Sequence, residues 1–494
     1  MDFNDYKKYD ATGLAELIRK KEVSAAEVLE AAITRAEAVN PKINAIIHTM
    51  YGKAREASHL PIPEGPFSGV PFLVKDLEFS LANEPMSSGS VSMRHYIPKH
   101  DSYAIQKVKD AGLLIFGKTN TPEFGITPYT EPVLFGPARN PWNTRHSTGG
   151  SSGGSAAAIA SGIVPMATAG DGGGSIRIPA SACGIFGIKP SRGRVSLGPD
   201  NGEAWSGLVA SFALSRTVRD SAALLDWMQG PMPGDPYIIR PPEKPYAEEI
   251  KTPPGKLKIA FSLQHPFGEQ VHQECEKAVR DAAQLLTDLG HEVEEVPLPY
   301  GEDALTKTFF MFVGDLAADL EAMGKLRGRP IQKNEVEITT WLLNMLGKSY
   351  SGKDVVAGRK EWNTISRRFG QLHTTYDVWM CPTLSRPPIV IGELQNSAIE
   401  NFFLKIGINL RIVPLFKNTF VVEMLAKRAF SYIPYTPIAN MTGQPSMSVP
   451  LHWTKDNLPV GVMFTARMCE EDILFRLAAQ LEEAKPWKDK WPEI

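Results

Sequence analysis

Residues 146–190, HSTGGSSGGSAAAIASGIVPMATAGDGGGSIRIPASACGIFGIKP, crowd glycine and serine around a small apolar stretch. A flexible linker would supply the glycine and serine but not AAAIASGIVPMATA, whose side chains suit burial. A phosphate cradle would need G-x-x-x-x-G-K-[ST], or G-x-G-x-x-G after a strand, and neither occurs here. Close backbone packing with no chemistry stays open. So does a nucleophile elbow, because Gly149-x-Ser151-x-Gly153 and Gly150-x-Ser152-x-Gly154 both match G-x-S-x-G. An elbow of that kind requires an acid and a histidine downstream. His265, His272, His291, His373 and His452 are the candidates.

The rest of the chain sets the frame for this segment. With 494 residues, 43% hydrophobic and 22% charged, it can bury a large core without staples. Lys plus Arg number 53 against 55 Asp plus Glu. That balance argues against a dedicated nucleic-acid or anionic-membrane binder, which needs concentrated basic charge. The four cysteines, Cys183, Cys275, Cys381 and Cys469, form neither a C-x-x-C pair nor a zinc-ligand spacing with histidine. A structural zinc is therefore not expected, and no other metal or cofactor is called for. The polar start MDFNDYKKYD and the lack of an apolar run of about 18 residues predict no leader and no spanning helix, hence a cytoplasmic protein.

Periodicity points to one architecture. Residues 1–60 read as a helical layer whose break falls at Val23–Ser24, where Ser24 and Glu27 form an S-x-x-E capping box and Pro41 is the expected stop. Buried strands are predicted over 69–77 and 376–384, with a helix over 102–111 leading into a strand over 113–118. Strand 256–263, helix 271–289 with Gly290 behind it, and strand HEVEEVPL form a β–α–β unit. The Pro-rich stretch 231–254 reads as a surface connection rather than a domain linker. The expectation is an α/β fold: a single large domain over 1–494 with a mixed, mostly parallel central sheet covered by helices on both faces.

GGSSGGSAAA followed by GDGGGSIRIPASACGIFGIKPSRGRV resembles the signature region of the amidase signature family. Further blocks resemble the family in the same order: GVPFLVKD, FGKTNTPEFG, GPARNPWN, LSRTVRDSAALLD, NMTGQPSMSVPL, LPVGVMFTA and EDILFRLAAQLE. Together they span roughly residues 15 to 482. Within the family, the N-terminal region and Leu326–Ile331 are most similar to 6-aminohexanoate cyclic-dimer hydrolases.

The resemblance implies a Ser–cis-Ser–Lys triad, carried onto Lys75, Ser151 and Ser175, with the 24-residue gap between the two serines matching the family's. It implies an oxyanion hole from the backbone N–H groups of Gly172, Gly173, Gly174 and Ser175. Taken alone, Lys75 would read as a solvated charge and each serine as a turn residue. Physical chemistry supports the carried-over roles. A serine hydroxyl needs a base, and a lysine is a base only when neutral, which an apolar setting such as Pro71–Val74 promotes. Ser151 would relay the proton and return one to the leaving nitrogen. Ser152, Asp171 and Arg177 read as loop supports and Cys183 as a buried small hydrophobe.

Two positions depart from the family pattern. Gly172 stands where a larger residue is usual, predicting a less constrained oxyanion loop, and Met463 stands where Gln is common. Partners are expected to be a small-molecule amide and water, with a homodimer left open. Two features bear on the substrate: the apolar segment 401–430, read either as core helices or as pocket wall and lid, and Trp205, on a loop over the site. They predict an apolar pocket for bulky or linear aliphatic and aryl amides, with carbamate or ester side activity. The competing readings are a Ser-His-Asp esterase, a glutamine-amidotransferase subunit of the same family, and a non-catalytic scaffold.

Overall fold

The computed structural model describes residues 1–410, 412–416 and 420–494. Its strands in chain order are β1 (Ile46–Thr49), β2 (Pro71–Lys75), β3 (Leu114–Thr119), β4 (Arg139–Asn140), β5 (Asn143–Ser147), β6 (Met166–Asp171) and β7 (Phe186–Lys189). They continue with β8 (Ala210–Ser215), β9 (Lys258–Phe261), β10 (Glu292–Glu295), β11 (Val378–Pro382), β12 (Ser446–Trp453) and β13 (Pro459–Ala466). Eleven of these form one sheet in the order β1-β3-β2-β6-β8-β7-β12-β13-β11-β9-β10, and β4–β5 form a separate ribbon. Every residue of β2, β6, β7, β8, β11 and β13 is buried. Successive strand side chains point to opposite faces, so both faces of the sheet are covered. Helices Gly153–Ala160 and Arg177–Cys183 pack on it and on each other, as do helices Val218–Met228 and Glu471–Ala484.

The mixed α/β sheet is as expected, but its parallel share is smaller. β2 runs parallel to β3 and β6, and β9 runs parallel to β10 and β11. The middle, from β6 through β8, β7, β12 and β13 to β11, is antiparallel throughout. A short turn such as that between β12 and β13 can join only antiparallel neighbours, whereas a parallel pair needs a crossover. The β9–helix–β10 unit supplies such a crossover, through helix Gln273–Asp288, and Gly290 follows it at φ +95°.

The N-terminal segment supplies helices Ala11–Arg19 and Ala25–Ile43, and also the edge strand β1. Ser24 Oγ accepts from the Glu27 amide at 3.2 Å and the Glu27 carboxylate accepts from the Ser24 amide at 2.8 Å, which is the predicted capping box. Pro41 is not a stop: it lies inside the helix, which ends at Asn44 in the left-handed region. The turn is held instead by Asn40, whose side chain bonds both the N–H and the C=O of Ile46.

Segment 401–430 falls into helix Ala398–Asn409, a 3-10 turn at Val413–Phe416 and helix Phe420–Phe430. Its residues Arg411 and Lys417–Thr419 lie outside the described residues. The core reading fails for the first helix, where Phe402 and Phe403 are 61% and 65% exposed. No described helix is long and apolar enough to cross a membrane.

Candidate active site

Topology brings the predicted residues together. β2 and β6 are parallel neighbours, so their C-terminal ends lie at the same edge of the sheet, where loops can gather polar groups around a ligand. β2 ends on Lys75, and β6 ends on Asp171, leading into Gly172–Ser175. The Lys75 amide donates to Thr168 Oγ1 of β6 at 2.7 Å, which fixes the register between the two strands. Ser151 lies just before helix Gly153–Ala160, which packs on β2 and β6.

Lys75 is fully buried, and its Nζ donates to Ser151 Oγ at 2.9 Å. Burial holds the Lys75 ammonium below the usual lysine range, against the opposing charges of Glu78 and Asp171. The Gly150–Ser151 peptide is cis. Ser175 is 9% exposed, and its Oγ makes no hydrogen bond among the described residues. It lines a cavity of about 80 Å³ together with Gly172, Gly173, Trp205, Phe309, Phe312 and Phe430. Gly125 lies on the wall of this cavity and touches Ser151: a Cβ built on it would stand 3.2 Å from Ser151 Oγ.

In the loop expected to hold an oxyanion, one of the four amides is already engaged. The Gly174 amide donates to Asp171 Oδ1 at 2.7 Å, so it is not free to meet a ligand oxygen. The amides of Gly172, Gly173 and Ser175 have no partner among the described residues. Asp171 organises the loop. Its carboxylate also accepts from the Ile176 amide at 3.2 Å, from Arg177 Nε at 3.0 Å and Nη2 at 2.9 Å, and from Asn440 Nδ2 at 2.9 Å. Despite burial, the Arg177 guanidinium holds the Asp171 carboxyl at about 2. Arg177 Nη1 donates to Met463 Sδ at 3.3 Å, so the departure at Met463 still leaves an acceptor for the guanidinium.

The departure at Gly172 also has a structural answer. A Cβ there would lie 2.7 Å from the Trp205 ring, so the indole occupies the space of the missing side chain and restrains the loop. Trp205 is held in turn by donation from Nε1 to Asp319 Oδ2 at 2.9 Å and by edge contact with Phe312, their centroids 4.9 Å apart. Gly174 has φ +126°, and a Cβ would fall 2.3 Å from Thr436 Oγ1, so only glycine fits this turn. Ser152 Oγ donates to the Gly170 carbonyl at 3.3 Å, and Cys183 is fully buried.

The histidines required by an esterase elbow are engaged elsewhere. His265 bonds the Ser431 carbonyl, His272 caps the Glu274 amide, His291 contacts Gln480, His373 the Tyr376 carbonyl, and His452 Glu274. Sequence reasoning missed Glu78 and Asp319, since a lone acid in a loop or on a helix carries no local signal. It also missed the enclosing role of Phe309 and Phe312.

The sequence model of the family described as "Amidase" matches residues 27–475. The chain belongs to the amidase family. It is 38% identical over 498 residues to the 6-aminohexanoate-cyclic-dimer hydrolase of Paenarthrobacter ureafaciens, covering 98% of this chain and 96% of that one. A solved 6-aminohexanoate cyclic dimer hydrolase complexed with substrate superposes with a TM-score of 0.87 at 36% identity, covering 98% of both chains. A bacterial aryl acylamidase of the amidase signature family superposes with a TM-score of 0.84 at 26% identity, covering 97% of this chain and 98% of that one. This amidase is thus an enzyme that hydrolyses amide carbon–nitrogen bonds other than peptide bonds.

Proposed function

We propose that this amidase cleaves small, largely apolar amides through an acyl-enzyme in which Ser175 is the nucleophile, Ser151 the proton relay and Lys75 the base. One observation carries the reading: a fully buried lysine is hydrogen-bonded to Ser151 beside a cavity whose wall holds Ser175 and three unpartnered amides. In the free-amine form Lys75 Nζ accepts the Ser151 proton as Ser151 Oγ accepts that of Ser175. Ser175 Oγ closes onto Ser151 when substrate binds, as catalytic hydrogen bonds tighten in the Michaelis complex. Its oxygen attacks the carbonyl carbon, and the oxyanion meets the N–H groups of Gly172, Gly173 and Ser175. The Lys75 ammonium then returns its proton through Ser151 to the nitrogen, which leaves as a neutral amine. Water repeats the sequence on the ester and frees the acid.

The cavity wall argues for the substrate class. Ile126, Ile178, Trp205, Leu208, Phe309, Phe312, Phe430 and Ile433 surround Ser175. Linear aliphatic acyl groups and aryl amides suit such a wall, and the similarity to a 6-aminohexanoate-cyclic-dimer hydrolase and to an aryl acylamidase points to the same class. The test is a hydrolysis screen of wild type against Ser175→Ala over acetamide, anilides, cyclic and linear oligoamides, carbamates and esters. Anilides or oligoamides should turn over well ahead of acetamide, and Ser175→Ala should abolish every activity. Equal turnover of acetamide, or an active Ser175→Ala, overturns the proposal.

A further inference from the structure

Beside the Lys75–Ser151 pair stands a carboxylate that this reaction does not use. Glu78 Oε1 lies 3.8 Å from Lys75 Nζ, and Glu78 Oε2 is buried without a hydrogen bond among the described residues. Two backbone features place it there. Glu78 closes the turn after β2 with φ +72°, in the left-handed region that residues with a Cβ seldom occupy. Its carboxylate also folds onto the bare Cα of Gly170 in β6, where a Cβ would stand 1.5 Å from Oε2. A glutamate that merely solubilised the surface would need neither.

The other charged groups near Lys75 are already matched. Asp171 of β6 is paired with Arg177 at 2.9 Å, and buried Lys189 adds to the positive charge around it. Asp76, next to Lys75 in the chain, pairs with Lys118 of β3 at 2.7 Å. From β8 the Ser211 hydroxyl faces the Glu78 carboxylate. Glu78 is therefore the one carboxylate beside Nζ that no arginine or second lysine neutralises among the described residues.

We propose that Glu78 is the counter-charge of Lys75, a positioning residue that keeps its amine basic enough to take the Ser151 proton and give it back. The inference rests on the reading of Lys75 as the base. Burial drives Lys75 toward the neutral form, and the Glu78 charge works against burial. Burial raises Glu78 too, and there the Lys75 charge opposes it. The sign follows. Without the Glu78 charge, burial is unopposed and Lys75 loses its proton at a lower pH. The acid limb of kcat/KM should then move down, and the plateau should fall because a weaker base accepts the proton.

The experiment is a set of pH profiles of kcat/KM on a chromogenic anilide for wild type, Lys75→Ala, Glu78→Gln and Glu78→Asp. Lys75→Ala should be inactive at every pH. Glu78→Gln should shift the acid limb down by about 1 unit and lower the plateau several-fold. Glu78→Asp, which keeps the charge but withdraws it by one methylene, should shift the limb the same way by less. An acid limb that stays in place in Glu78→Gln, or in Glu78→Asp should the former not fold, overturns the role of Glu78 when Lys75→Ala is dead. An active Lys75→Ala would instead overturn the reading of Lys75 as base, so the two failures are distinguishable.

Discussion

Replacing Asp171 by Asn tests whether one carboxylate holds both the core and the oxyanion loop. Asp171 and Arg177 are each fully buried and joined through two guanidinium nitrogens. Removing one partner of such a pair strands the other charge, at about 3–5 kcal/mol. The acid-base equilibrium sets an independent scale. The carboxyl is held at about 2 against an ordinary 3.8, and at ~1.4 kcal/mol per unit this corresponds to about 2–3 kcal/mol. The second figure is smaller because a protonated Asp171 keeps part of its hydrogen bonding. The sign is that of a depressed acid: the contribution is complete above the unfolded value near 4 and is lost as pH falls toward 2. Urea unfolding at pH 7.5 should therefore show Asp171→Asn less stable by about 3 kcal/mol, and the gap should narrow below about pH 4. The folded variant should also lose about 10²–10³ in kcat, because the carboxylate positions the loop that carries the three free amides. Ser175→Ala supplies the control, inactive but as stable as wild type. An Asp171→Asn variant within about 1 kcal/mol of wild type and of normal kcat would refute the argument.

Further outcomes follow from the same site. Gly172→Ala should lower kcat about tenfold or more, because its methyl would stand 2.7 Å from the Trp205 ring; Gly172→Ala with Trp205→Ala should recover much of the loss, which steady-state kinetics of the double-mutant cycle would show. Lys75→Ala should lower kcat/KM by about 10³-fold or more without a shift in urea midpoint of matching size, measured on the same anilide. Wild-type kcat/KM should rise as pH increases through the lowered Lys75 value, since only the free amine accepts a proton; a profile that falls from pH 6 upward contradicts this. Gly174→Ala should be inactive and unstable, because its φ of +126° and contact with Thr436 leave no room for a Cβ, and circular dichroism melting reports the stability part.

Local signals identified much of this enzyme. The Ser24–Glu27 box, the β9–helix–β10 unit and the buried runs at β2 and β11 are written in residues a few positions apart. Pro41 misled because its neighbours can continue a helix past a proline, and the true end depends on Asn40 and Asn44 reaching the next strand and loop. The antiparallel centre of the sheet was hidden for a related reason: strand neighbours such as β7 and β12 are more than 250 residues apart, and no periodicity encodes which edge a strand joins. The same division runs through the site. The family resemblance of the glycine–serine segment and of the block around Lys75 singled out Lys75, Ser151, Ser175 and the glycine loop as candidates. Long-range packing decided that Trp205 takes the volume left by Gly172 and that Glu78 folds over Gly170 toward Lys75. A proton's affinity and a donor's direction depend on what surrounds them within a few ångströms, and in a folded chain most of those neighbours come from distant sequence.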